Sequence, residues 1–211
     1  VGRHICSGVI LTEKHVLTSA SCLVNNPIKN YMIVVGQNAL DELDEWEEEF
    51  SAQSIYTHDF FDETSGSHDL AIVKLKQRRG HYINFEHPQI QPICLPTSAA
   101  GQESRDGSCE ISGWGSWSAA DQKLSLMGQS VNLDPVCTLE HHCVNNPSAA
   151  NQKDFTFDDG MPLTCKPMSK PMWYLRGLRA KALDPCDQGC PTMRFLDISA
   201  YLLWINARLA L

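Results

Sequence analysis

The sequence predicts an all-β protein closed by a single C-terminal helix, on three observations. Short runs rich in β-branched and aliphatic residues recur at Val16-Leu17-Thr18, Tyr31 to Val35, Leu70 to Leu75 and Cys109 to Trp114. Polar segments carrying Gly, Pro and Asn separate them, which is the pattern of many short strands in a sandwich or barrel. The period changes only near the end, where Ile198, Tyr201, Leu202, Ile205 and Leu209 recur at helical spacing, with Asp197 or Ser199 available as N-cap. At 211 residues, 43% hydrophobic and 20% charged, the chain can bury a sizeable core. Length alone admits one or two compact units, and no internal repeat or low-complexity linker divides them.

Charge and cysteine content exclude several classes of function. The formal net charge is -8, with 17 Lys+Arg against 25 Asp+Glu, and the basic residues are scattered. Binding a phosphate backbone requires clustered positive charge, so nucleic acid is not an expected partner, and anionic membrane surfaces are disfavoured for the same reason. No apolar run approaches the roughly 20 residues that cross a bilayer as a helix. Nine cysteines are many for a reducing compartment, and their spacing forms no paired C-x2-C zinc knuckles. Disulfides outside the cytosol are the expectation. No signal peptide is visible at Val1, which reads as a mature form or a fragment.

Asp41, Glu42, Asp44, Glu45, Glu47, Glu48 and Glu49 place seven carboxylates within nine residues. Such a run reads first as a solvated loop. The alternative is a calcium loop, since hard cations take several oxygen ligands from flexible segments, although the spacing matches no EF-hand.

Particular motifs go further than composition. His4-Ile5-Cys6-Ser7-Gly8-Val9-Ile10-Leu11, followed by His15-Val16-Leu17-Thr18-Ser19-Ala20-Ser21-Cys22, resembles the second and third strands of the trypsin/chymotrypsin serine protease family. His68-Asp69-Leu70-Ala71-Ile72-Val73-Lys74-Leu75, Pro92-Ile93-Cys94-Leu95-Pro96 and Ile111-Ser112-Gly113-Trp114-Gly115 resemble further landmarks of that family, in order. The tail Ile198 to Ile205 is similar to its closing helix. The resemblance implies two six-stranded antiparallel barrels, roughly 1–95 and 96–197, plus a C-terminal helix over 197–210, all within one protease-like domain over 1–211. It also implies a family N-terminal segment preceding the first strand seen here.

The same resemblance, taken residue by residue, removes the chemistry. The general-base histidine falls on Ser21, and a hydroxyl does not titrate near neutral pH as imidazole does. The orienting aspartate is retained as Asp69. The nucleophile motif matches Phe157-Asp158-Asp159-Gly160-Met161-Pro162, which puts Asp159 at the serine position, where a carboxylate repels a developing oxyanion. Phe157 stands where a glycine contributes its N–H to the oxyanion hole. The segment that pairs with substrate backbone aligns with Ala180-Lys181-Ala182, and Phe155 replaces a cysteine. Asp158 occupies the position of the aspartate that pairs with the family's new N-terminal amine.

Family connectivity implies the disulfides Cys6–Cys22, Cys109–Cys165 and Cys137–Cys143. With Phe155 in place of a cysteine, Cys186 and Cys190 are expected to bond to each other, and Cys94, the odd one of nine, to bond to another segment or chain. The expected function is that of a non-catalytic serine protease homologue, secreted, without cofactor or resident metal, and acting by protein–protein binding as a cofactor, decoy or scaffold. Trp46, Trp117 and Trp173 are candidate exposed anchors for such binding. A structural subunit of a larger disulfide-linked secreted complex is the alternative. A remoter one is a hydrolase with a paired-carboxylate site at Asp69 and Asp159. A metal version of that site would recruit His141 and His142, but adjacent residues of a strand point to opposite faces.

Overall fold

The structure, a computed structural model, describes residues 3–24, 26–97, 108–114, 125–134, 141–145, 158–167, 171–180 and 192–211. Two antiparallel sheets make up its body. The first comprises β1 (Val9–Thr12), β2 (His15–Thr18), β3 (Met32–Val35), β4 (Glu48–Thr57) and β5 (Ala71–Leu75), in the order β1-β2-β5-β4-β3. These are the runs expected to be strands, with β4 added. Glu48 and Glu49 open β4 and pair with Val35 and Val34, so the acidic run is part loop and part strand. Consecutive residues of a strand point to opposite faces, and here Glu49 is exposed while Glu48 is half-buried 3.9 Å from Arg78.

The second sheet comprises β6 (Ser108–Gly113), β7 (Met127–Val131), β8 (Leu133–Asp134), β9 (His141–Asn145), β10 (Pro162–Lys166), β11 (Tyr174–Arg179) and β12 (Thr192–Asp197), in the order β7-β6-β10-β11-β12-β9-β8. Its two outer members, β7 and β8, are separated in sequence by Asn132 alone. One bent strand therefore contributes both edges, and the sheet closes on itself as a barrel of six strands. The first sheet presents five described strands, beginning with the one that the family resemblance counts second.

Packing follows the alternation of apolar residues. Val16, Val35, Phe50, Val73, Leu75, Ile83 and Ile90 fill the first sheet, and Ile111, Val144, Met161, Leu163, Met193 and Phe195 fill the second. A third cluster joins them: Leu17, Leu70 and Ile72 of the first half pack with Leu175, Leu178, Leu196, Ile198 and Ile205 of the second half and the terminal helix. That helix begins as a 3-10 turn over Ile198–Tyr201 and continues as α1 (Leu202–Leu209). Of the two expected N-caps, Asp197 does the capping, its Oδ1 accepting from the Ser199 N–H at 2.9 Å. No helix among the described residues is long and apolar enough to cross a membrane.

One core position carries a pH dependence. His15 on β2 is fully buried, its Nδ1 lies 2.9 Å from Thr12 Oγ1, and its Nε2 has no hydrogen-bond partner. Burial, then the charges of Lys14 and Lys74, hold its pKa below the ordinary histidine value. The unfolded chain therefore takes up this proton first, and stability falls as the pH drops below about 6.5. Urea titrations at pH 7.5 and 5.5 are expected to show that loss, and His15→Leu to flatten it; an unchanged slope in the variant would refute the assignment.

Candidate functional site

Ser21 sits in a 3-10 turn, Ala20–Cys22, directly after β2, and the Cys6–Cys22 disulfide ties that turn back to the start of the chain. Asp69 precedes β5 and is fully buried. The two meet in a closed pair: the Ser21 N–H donates to Oδ1 at 2.7 Å and the Ser21 hydroxyl donates to Oδ2 at 2.8 Å. Burial pushes the Asp69 pKa up, and the Ser21 and Ala20 donors oppose it. Both oxygens of the Asp69 carboxylate are thus held by Ser21. Ser21→Ala leaves Oδ2 without its hydroxyl donor and is expected to cost about 1–2 kcal/mol at neutral pH. Equal denaturation midpoints for the two proteins at pH 7 would count against this pairing.

Asp159 lies in the turn before β10. Gly160 follows at φ +77°, a left-handed conformation that glycine adopts without steric cost, and its N–H donates to the Arg179 carbonyl at 2.9 Å. The turn is tied to the first half by the Ser7 N–H, which donates to the Asp159 carbonyl at 2.9 Å, while the Thr18 hydroxyl donates to the Ser7 carbonyl at 2.7 Å. The Asp159 side chain is engaged as well: Arg179 Nη1, at the end of β11, donates to Oδ1 at 3.0 Å. Arg179 itself is buried, its N–H donating to the Met161 carbonyl and its own carbonyl accepting from the Ser19 hydroxyl at 2.9 Å.

Sequence reasoning missed Arg179. The available signal was an arginine immediately before Ala180, closing a strand whose Tyr174, Leu175, Gly177 and Leu178 are uncharged. A cation buried there requires a counterion, and Asp159 supplies it. Asp69 and Asp159 each have a donor of their own, Ser21 for the first and Arg179 for the second.

Asp158 is the third anchored acid. Its Oδ2 accepts from the Ser7 hydroxyl at 2.8 Å and from the Trp114 N–H at 2.9 Å, and His4 Nε2 approaches it to 3.2 Å. Burial alone would raise its pKa, but the His4, Ser7 and Trp114 contacts hold it below the ordinary aspartate value. The carboxylate expected to receive an N-terminal amine is occupied by His4 and Ser7, ahead of β1, and by Trp114, directly after β6.

The other expected positions divide into those placed and those not described. Cys6–Cys22 and Cys109–Cys165 are bonded, the latter directly across the β6–β10 pairing. Cys143 is a disulfide cysteine, and Cys94 is free and exposed. Phe155, Phe157, Lys181, Ala182, Trp117, Cys137, Cys186 and Cys190 lie outside the described residues; Ala180 is fully buried. Trp46 is 46% exposed and stacks on His87 at 4.0 Å, whereas Trp173 is half-buried. Among the described residues no three His, Cys, Asp or Glu side chains gather as a metal site. The acidic run does not converge as a calcium loop would, because Asp44 Oδ2 accepts from the Asn38 and Ala39 N–H groups and caps its own turn. His142 contacts Asp197 at 3.3 Å.

Comparison with known proteins agrees with this framework. The family model described as Trypsin matches residues 1–166. Coagulation factor XII of Bos taurus is 34% identical over 99% of this chain and 36% of its own length. Coagulation factor XII of Sus scrofa is 27% identical over 97% of the chain and 36% of its length. Inactive serine protease 54 of Rattus norvegicus is 28% identical over 97% of the chain and 53% of its length. The chain thus spans about a third to a half of these relatives. With two antiparallel sheets, a closing helix and the family match over most of its length, the chain belongs to the trypsin family.

Proposed function

We propose that this protein is a non-catalytic member of the trypsin family that acts outside the cytosol by binding another protein, as cofactor, decoy or scaffold. The observation that carries this reading is the pairing at the two altered triad positions. Ser21 closes on Asp69 and Asp159 closes on Arg179, so neither an imidazole base nor an alcohol nucleophile stands at these positions. Peptide hydrolysis by this family's route needs both, one to take the proton and the other to attack the carbonyl. The name of the relative from Rattus norvegicus, an inactive serine protease, supports the same reading. A paired-carboxylate hydrolase is disfavoured by the separate donors on Asp69 and Asp159.

The test is an assay of purified protein on peptide and ester substrates together with a fluorophosphonate label. No turnover above the uncatalysed rate and no covalent adduct are expected; turnover that survives repurification and is blocked by the label would overturn the reading. The binding role is tested by pull-down from the native fluid with co-purifying chains identified. The structural-subunit reading draws on the exposed free thiol of Cys94. It predicts that the native protein runs at a higher mass without reductant and loses that difference in Cys94→Ser; an unchanged mass would remove it.

A further inference from the structure

We infer that the segment from His58 to His68, which leads directly into Asp69, is an acid-released strap latched by the stacking of its two terminal histidines. The rings of His58 and His68 lie 5.0 Å apart with planes 15° from parallel. The His58 ring is also packed against Phe60 at 6.0 Å, Tyr201 at 5.3 Å and Trp204 at 5.1 Å, so the latch joins the strap to the terminal helix segment. Between its ends the strap is self-contained. The Phe61 N–H donates to the His58 carbonyl, the Asp62 N–H to the Ser67 carbonyl and the Gly66 N–H to the Asp62 carbonyl, and Asp62 further accepts from Thr64 and Ser65. The His58 N–H donating to the Leu70 carbonyl at 2.9 Å keeps the two ends side by side, so what the ring contacts add is the strap's hold on the terminal helix segment and the order of the residues between.

Proton chemistry decides whether the ends hold. The Phe60 N–H points at His58 Nδ1 at 3.3 Å, so this nitrogen must be the unprotonated acceptor. Protonating it sets donor against donor, and two charged imidazoles in a parallel stack repel each other. His68 Nδ1 lies 3.1 Å from the Tyr201 hydroxyl, which accommodates either the neutral or the charged ring. The charges facing His58 come from each neighbouring element: His68 and Asp59 from the strap, and Arg208 from α1. Arg208 is bound to Asp59 at 3.0 and 3.2 Å and lies over Trp204. Asp59 favours a charged His58, and Arg208 beside it works against that. Burial, then His68 and Arg208 against the opposing Asp59, hold the His58 pKa below the ordinary value. His68 also keeps a left-handed backbone at φ +53°, a conformation uncommon outside glycine in which asparagine, aspartate and histidine are enriched.

The effect is local, and the test separates it from the acid sensitivity of His15. Amide hydrogen exchange of the full chain is measured at pH 7.5 and 5.5, corrected for intrinsic rates, with β2 and β5 as internal reference. The expected result is a loss of protection of at least about tenfold in residues 58–68 relative to that reference at pH 5.5. His58→Phe keeps the ring packing and removes the proton, so it should retain protection at both pH values. His68→Asn suits the left-handed backbone and removes the second imidazole, so nuclear magnetic resonance titration of His58 in that variant should give a higher pKa. Equal protection of the strap at both pH values, persistence of the pH effect in His58→Phe, or an unmoved His58 titration in His68→Asn would each overturn the latch.

Discussion

Replacing Asp159 by alanine is expected to destabilise the fold by about 3 kcal/mol, because it takes from the buried Arg179 guanidinium the carboxylate that compensates its charge. The side chain of Arg179 is 9% exposed, against 22% for Asp159. Arg179→Leu should cost less than Asp159→Ala, since the carboxylate left behind still reaches water. The double variant Asp159→Ala/Arg179→Leu should recover most of the loss, because replacing both charges by apolar groups removes the desolvation cost together with the attraction. Urea denaturation of the four proteins gives the cycle directly. Additive single-variant losses would show that the pair contributes no coupling and that the site is closed by something else.

Restoring the missing triad side chains is expected to restore almost no activity. Ser21→His/Asp159→Ser returns an imidazole beside Asp69 and a hydroxyl to the nucleophile turn. It also strips Arg179 of the carboxylate bound at 3.0 Å, leaving a cation beside the new nucleophile. A positive charge there disfavours the imidazolium that must form as the hydroxyl attacks. On the proposed reading Phe157 takes the place of the family's oxyanion-hole glycine, which would also remove part of the residual acceleration that survives triad loss. Ester hydrolysis by the double variant should remain at least about 10³-fold below that of a working triad. Rapid phosphonate labelling of the introduced hydroxyl, stopped by mutating the introduced imidazole, would show instead that the scaffold still holds a functional site.

The chain reveals some of these features to a reader of its sequence and hides others. The strands around Val16, Val35, Ile72 and Ile111 could be read because alternation and β-branching are carried by contiguous residues. The helix from Ile198 could be read because its apolar residues repeat at helical spacing. The proposal that Ser21 and Asp159 stand at the imidazole and alcohol positions of the family rests on flanking motif residues, Cys22 on one side and Gly160 with Pro162 on the other. The acidic run was read only in part. Glu48 and Glu49 look like loop residues in isolation, and their place on β4 follows from pairing with Val35 and Val34.

Sequence alone determined which side chains stand at Ser21, Asp69 and Asp159, on which the proposed loss of catalysis rests, because the identity of a side chain is a local fact that folding does not alter. It also determined the fold class, because strand and helix periods are written into neighbouring residues. Tertiary structure decided what fills the vacated positions. Asp159 meets Arg179 across 20 residues, Ser21 meets Asp69 across 48, and Asp158 meets Ser7 across 151. No periodicity encodes such distances; they arise when the two sheets close over a common core and each buried charge must find a donor where the backbone happens to bring one.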